Sequence, residues 1–152
     1  MTDLLVRLYA LPPVPAPPEG VEIRRAIAPE KARVLDWVTR DFGDAWASEC
    51  DVAFAHVPVG VFFAVAQREL LGFACFDATA RGFFGPTGVS EAERGRGIGT
   101  ALLFATLLAM REVGYAYAVI GGVGPIAWYA RTVGAIEIPD STPGIYRGML
   151  RK

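Results

Sequence analysis

The sequence predicts an α/β (α+β) fold, a mixed and mostly antiparallel central sheet flanked by helices. Three observations carry this expectation. Apolar runs at residues 60–67, 71–77 and 81–89, parted only by short turn-forming stretches, read as an antiparallel meander. A glycine-rich turn at 94–99 opens directly into an apolar helix. A continuous apolar run at 115–122 then leads to Pro125 and a further helix, the order expected where part of a sheet is parallel and covered on both faces.

The elements follow in order. Residues 4–10 read as a short strand, and 12–20, with five prolines among nine residues, as an extended connector. A strand from Val21 alternates apolar and polar positions. Pro29 and Glu30 mark a helix start; Val34, Leu35 and Val38 share its apolar face, and Gly43 stops it. Asp44 suits the N-cap of a second helix. Trp46, Cys50, Ala53 and Phe54 fall on one side of it, Glu49 borders that side about 60° round the axis from Trp46, and Asp51 points away. The helix after Gly97 is apolar all round, with Leu102, Leu103, Phe104, Leu107, Leu108 and Met110, and is therefore expected to be buried on several sides until Gly114 ends it. Pro125 opens a helix to about Val133, and "AIEIP" and "GIYRGML" read as two closing strands. The expected organisation is one domain over 1–152, in which 1–20 supply an N-terminal strand and the Pro-rich connector.

Composition narrows the function classes. With 53% apolar and 20% charged residues, the chain has the means to bury a core and is not expected to be disordered. The net charge is −1 and no block of Lys or Arg stands out, so no nucleic-acid partner is expected. Residues 113–130 carry no charge, but Gly114, Gly121, Gly122, Gly124 and Pro125 divide them into a strand half and a helix half, so no membrane partner is expected either. Asp3 and Arg7 interrupt an N-terminal apolar stretch too short for a signal peptide, and a cytoplasmic setting is expected. Cys50 and Cys75 have no metal-ligand spacing and read as core residues; with His56 the single histidine, no metal is expected.

Strand, glycine-rich turn and helix together form an anion site, because glycines admit close backbone approach and the helix start offers free N–H groups and the positive end of its dipole. Three motifs compete for Arg94-Gly95-Arg96-Gly97-Ile98-Gly99. A P-loop needs Lys-Ser/Thr after its last glycine, where Thr100-Ala101 stands. A dinucleotide fingerprint needs a third glycine where Thr100 stands, and its strand belongs to the first unit of a parallel sheet, not to a meander. The third pattern, R/Q-x-x-G-x-G/A, fits in full. It is the pyrophosphate signature of the GNAT superfamily of N-acetyltransferases, which the chain resembles over roughly 21–150, element order included. The resemblance implies acetyl-CoA as cosubstrate. It implies that Arg94, Gly95, Arg96, Gly97, Ile98, Gly99 and Thr100 bind its pyrophosphate, and that its arm lies along the strand end at Val89. In "GPIAWYARTVGA", Tyr129 takes the place of the family tyrosine that often protonates the departing CoA thiolate. Gly122 or Gly124 stands where the family frequently has an asparagine, and Gly134 comes one residue later than its common spacing.

The implied reaction is acetyl transfer to an amine by direct attack on the thioester, with a backbone N–H at Val89 placed to stabilise the oxyanion. An amine is mostly protonated at neutral pH, so a base or a water path must take its proton. Many relatives carry a carboxylate on the strand before the loop, but residues 81–89 contain none. Glu49 is the first candidate, ahead of Asp41 and Asp77. Phe83, Phe84, Trp46 and Tyr146 are candidates for an aromatic, weakly charged acceptor pocket, which favours a small-molecule amine substrate. The missing carboxylate also motivates an alternative, an acyl-CoA-binding module with little or no turnover. Exposed sheet edges leave room for a homodimer.

Overall fold

The computed structural model describes residues 1–151. Its strands are β1 (Thr2–Arg7), β2 (Glu22–Arg25), β3 (Val61–Ala66), β4 (Glu69–Phe76), β5 (Phe83–Val89), β6 (Tyr117–Val123) and β7 (Ile136–Glu137). Its α-helices are α1 (Lys31–Phe42), α2 (Asp44–Phe54), α3 (Ile98–Glu112) and α4 (Ile126–Val133). The strands form one sheet in the order β2-β3-β4-β5-β6-β1-β7. Every neighbouring pair is antiparallel except β5 and β6.

Side-chain alternation splits the interior between the two faces of the sheet. On one face Leu4, Val6, Ala74, Phe76, Phe84, Ala118 and Ile120 pack with Leu102, Leu103, Leu107 and Met110 of α3. These four α3 side chains are fully buried, each contributing roughly 2 kcal/mol by removal from water. On the other face Val61, Phe63, Phe73 and Cys75 pack against Trp37 and Val38 of α1 and Cys50, Ala53 and Phe54 of α2. Gly43 joins those two helices at φ 96°, and its N–H returns to the carbonyls of Val38 and Thr39. The capping position thus falls to Gly43, and Asp44 becomes the first residue of α2, an acid in the first turn.

Two closing strands were expected and only a remnant of one forms. β7 has two residues, both paired to β1, and residues 144–146 make a 3-10 turn. Gly144 at φ 58° and Gly148 at φ 72° occupy left-handed backbone that an extended strand cannot include. The place beside β6 is taken instead by β1, whose Leu4 and Val6 fill the α3 face. β1 itself begins earlier than expected, at Thr2, and yields to a 3-10 turn at Leu8. β6 is parallel to β5 over only two positions, and that short pairing shapes the site.

Candidate functional site

β5 and β6 are in register at Phe83 with Val119 and at Phe84 with Ile120, and nowhere beyond. Past that point the strands part, leaving a gap between residues 85–89 and 121–123. A crevice at the carboxyl ends of parallel strands is where open α/β sheets take ligands. The β5 ladder also fixes which backbone groups face this gap. Ser90 N–H donates to the Leu71 carbonyl (2.8 Å), the bond that flanks a non-hydrogen-bonded pair, here Gly72 opposite Val89. Val89 therefore turns its own N–H and C=O away from β4, towards the gap. Its carbonyl accepts a bond from Arg94 Nε (3.1 Å), which ties the loop to the strand end.

The loop then enters α3 through Gly97, at φ 85° and ψ 8°. The first-turn N–H groups at Ile98, Gly99 and Thr100 have no partner within the helix. Val89, Glu93, Arg94, Gly95, Gly97, Ile98, Gly99, Thr100 and Trp128 line a cavity of about 220 Å³ at this point. A Cβ at Gly95 or Gly97 would meet no protein atom within 4 Å, so the glycines face open space. Ile98 is 1% exposed and anchors the helix in the core, offering the cavity its backbone. Arg96 turns aside to pair with Glu93 and does not line the cavity. Trp128, which sequence reasoning treated only as a neighbour of Tyr129, lines the cavity opposite the loop; its spacing on α4 was the available signal.

Tyr129 lies next to it, 6% exposed, with its ring edge-on to Trp128 (centroids 4.7 Å) and to Phe84 (6.5 Å). Phe84 is the last β5 residue paired to β6, so Tyr129 stands at the closed end of the gap. Burial alone pushes its hydroxyl up to about 12, since no hydrogen bond or charge acts on it. It is neutral, and a proton donor, throughout the physiological range.

Glu49 sits on the opposite side of the sheet, on α2, where it accepts a bond from Thr79 Oγ1 (2.7 Å). Asp41 and Asp77 are more fully engaged. Asp41 pairs with Arg40 (2.8 Å). Asp77 holds the β4–β5 turn, accepting from Gly82 N–H (2.7 Å) and from the Tyr115 hydroxyl on both oxygens (2.9 Å). Of the four aromatic candidates, Phe83 and Tyr146 come together against Gly121, where a Cβ would collide with both. Trp46 stacks on Phe42 (5.3 Å) in the α1–α2 core, and Phe84 lies in the α3 core. These two pack the interior because strand alternation and the helix face commit them to it. Cys50 and Cys75 are both buried, and burial drives the Cys75 thiol well above its ordinary range. Among the described residues no cluster of three or more His, Cys, Asp or Glu is placed to hold a metal ion, and no helix is long and apolar enough to cross a membrane.

Sheet, gap and glycine loop coincide with a known class. Residues 31–134 match the model of the Acetyltransferase (GNAT) family, and the chain belongs to that family. No curated protein matches the chain. Its fold resembles a GCN5-related N-acetyltransferase from Sphaerobacter thermophilus, with TM-score 0.74 and 23% identity over 90% of this chain and 48% of that one. A GCN5-related N-acetyltransferase from Kribbella flavida gives TM-score 0.64 and 21% identity over 90% of this chain and 53% of that one. A GNAT family N-acetyltransferase from Escherichia coli, crystallised in complex with CoA, gives TM-score 0.56 and 23% identity over 78% of this chain and 69% of that one. At these identities the likeness is one of fold. The chain spans about half the length of the Sphaerobacter and Kribbella proteins.

Proposed function

We propose that this chain is an N-acetyltransferase that moves the acetyl group of acetyl-CoA to a primary amine of a small molecule. The observation that carries the proposal is the coincidence of two features. The glycine loop with free helix-start amides suits a pyrophosphate, and the β5–β6 gap runs from that loop to a buried, neutral tyrosine. Arg94, Gly95, Gly97, Ile98, Gly99 and Thr100 hold the pyrophosphate, and Trp128 closes the cavity over it. Arg96 contributes its backbone and the pairing that restrains Glu93.

The amine nitrogen attacks the thioester carbonyl from the α1–α2 side. The Val89 N–H stabilises the oxyanion that develops on the carbonyl oxygen. The carbon–sulfur bond breaks, and Tyr129 gives its proton to the departing thiolate. The proton lost by the amine leaves through Glu49 or a chain of water reaching it. No covalent enzyme intermediate is required, in keeping with two buried and unreactive thiols.

Glu49→Gln keeps the bond from Thr79 through the amide oxygen and removes the base. The expected result is a kcat lower by at least about tenfold, with loss of the acidic limb of the pH–rate profile; unchanged pH–rate behaviour removes Glu49 from the mechanism. The function as a whole is tested by following free thiol from acetyl-CoA across a panel of small amines. Amine-dependent release is expected. Tight acetyl-CoA binding with no release for any amine favours the alternative, an acyl-CoA-binding module, which the lack of a carboxylate on β5 supports.

A further inference from the structure

A second cavity, of about 600 Å³, opens on the α1–α2 face, and the chemistry above makes no use of it. Successive turns of α1 supply Arg33, Asp36, Trp37 and Arg40. Glu69 and Leu70 at the start of β4 and Ser90 just beyond β5 complete the wall. Val89 and Leu102 both crowd the place a Cβ of Gly72 would take, so Val89 faces α3 and the next residue, Ser90, faces α1. The cavity is separate from the β5–β6 gap, because β4 flanks β5 on one side and the gap on the other.

The donors of this cavity are not used within the fold. Trp37 is 8% exposed, and its ring meets Phe42 and Phe73 edge-on (5.5 and 6.0 Å). A buried indole ordinarily finds an acceptor for its N–H, but that of Trp37 has no hydrogen-bond partner among the described residues. No described side-chain nitrogen or oxygen is sealed from solvent without a partner. The indole N–H therefore reaches solvent, and the cavity is where Trp37 meets it. Ser90 stands at the N-cap of the 3-10 turn Glu91–Glu93, yet its hydroxyl makes no capping bond. Arg40 is held to Asp41 through Nε (2.8 Å), and Arg33 to the Arg68 carbonyl through one terminal nitrogen (2.7 Å). Each guanidinium keeps further N–H groups that these bonds do not occupy.

The wall balances two guanidinium groups against two carboxylates, and neither Asp36 nor Glu69 forms an ion pair among the described residues. A simple anion would meet the carboxylates as well as the arginines, and a simple cation the reverse. A molecule that carries both charges satisfies both sets. Leu70 and the Trp37 ring add apolar ground, and the volume lies in the range of small-molecule sites.

We infer that this cavity binds a free α-amino acid with an apolar side chain. Its carboxylate lies on the Trp37 N–H, the Ser90 hydroxyl and the guanidinium groups of Arg33 and Arg40, and its ammonium group on Asp36 and Glu69. The amino acid is a second ligand and not the acetyl acceptor, since its nitrogen is held by α1 and β4, across β5 from the gap. The inference stands independently of the acetyl-transfer reading.

The test is calorimetric titration of the full chain with leucine, N-acetylleucine and leucinamide, which carry both charges, the anion alone and the cation alone. Leucine is expected to bind at least about tenfold more tightly than either of the others, the size of one charge-assisted contact. Trp37→Phe keeps a ring against Phe42 and Phe73 and removes the N–H. It should weaken leucine and N-acetylleucine and leave leucinamide unchanged. Asp36→Asn, at an exposed position where the fold is not at risk, should bring leucine down to the affinity of N-acetylleucine. Equal binding of the three compounds, no binding of leucine, or a preference for leucine that survives Asp36→Asn overturns the site. Conversion of leucine to N-acetylleucine in the presence of acetyl-CoA, lost in the same variants, overturns its assignment as a second ligand. Leucine binding with no acetylation of it supports that assignment, whatever the amine panel shows.

Discussion

Gly97→Val raises the dissociation constant for acetyl-CoA by at least about a hundredfold, the equivalent of about 3 kcal/mol. Two effects combine. At φ 85° a β-branched residue is strained by roughly 1–2 kcal/mol. The added side chain also projects into space free of protein atoms within 4 Å at Cβ, the space that the proposed function assigns to the pyrophosphate. Because that space is open, the fold survives, and the melting temperature should fall by only about 2–8 °C. Gly114→Val provides the comparison. Gly114 is also left-handed, at φ 108°, also open at Cβ, and lies beyond the far end of α3. It should show a similar thermal loss with unchanged acetyl-CoA affinity. Titration calorimetry and thermal melts on both variants separate backbone strain from loss of the anion site. Equal affinities for the two variants would show that the loop does not hold the cofactor.

Tyr129→Phe lowers kcat by about a hundredfold, the scale of a lost general acid, while the KM for acetyl-CoA stays close to its original value. The same variant has a second signature. Tyr129 ionises near 10 when unfolded and is pushed up to about 12 in the fold. Burial of the neutral phenol is therefore fully compatible with folding below pH 10. Above it the unfolded chain gains stability by losing a proton that the folded chain keeps. Stability should fall between pH 10 and 12 by about 3 kcal/mol on this account. Other tyrosines titrate there as well, so the measurement is the difference between parent and Tyr129→Phe in denaturant titrations across that window. The variant should lose less stability. Parallel curves mean the phenol is solvated, and a fall in KM without a fall in kcat removes its role as acid.

Much of this was legible in the chain. The meander, the loop and α3 were clear because glycine, strand alternation and an all-round apolar helix act locally. Tyr129 was singled out by its match to the family tyrosine in "GPIAWYARTVGA", and the fold sets it on α4. What escaped was set by contacts distant in sequence. "GIYRGML" has a strand's composition, yet Gly144 and Gly148 take left-handed conformations and β1 occupies the sheet position beside β6. Asp3 looked like an ordinary polar residue until β1 paired with β6 and brought it to Gly122. Trp46 and Phe84 read as pocket aromatics but serve the two cores, since periodicity shows which residues share a face but not which face stays open. Arg94 fills the motif's specified position and Arg96 an unspecified one, yet both were expected at the pyrophosphate. The fold separates them, tying one to Val89 and the other to Glu93.

The most direct test of the account is the fate of the acetyl group itself. The protein is incubated with acetyl-CoA carrying an isotopically labelled acetyl group and with the small primary amine that gives the fastest thiol release in the panel, and the label is traced by mass spectrometry. The account predicts that the label appears in the amide of that amine at the rate at which CoA thiol is released. Label found only in acetate, or retained on CoA while the protein holds it tightly, would contradict it.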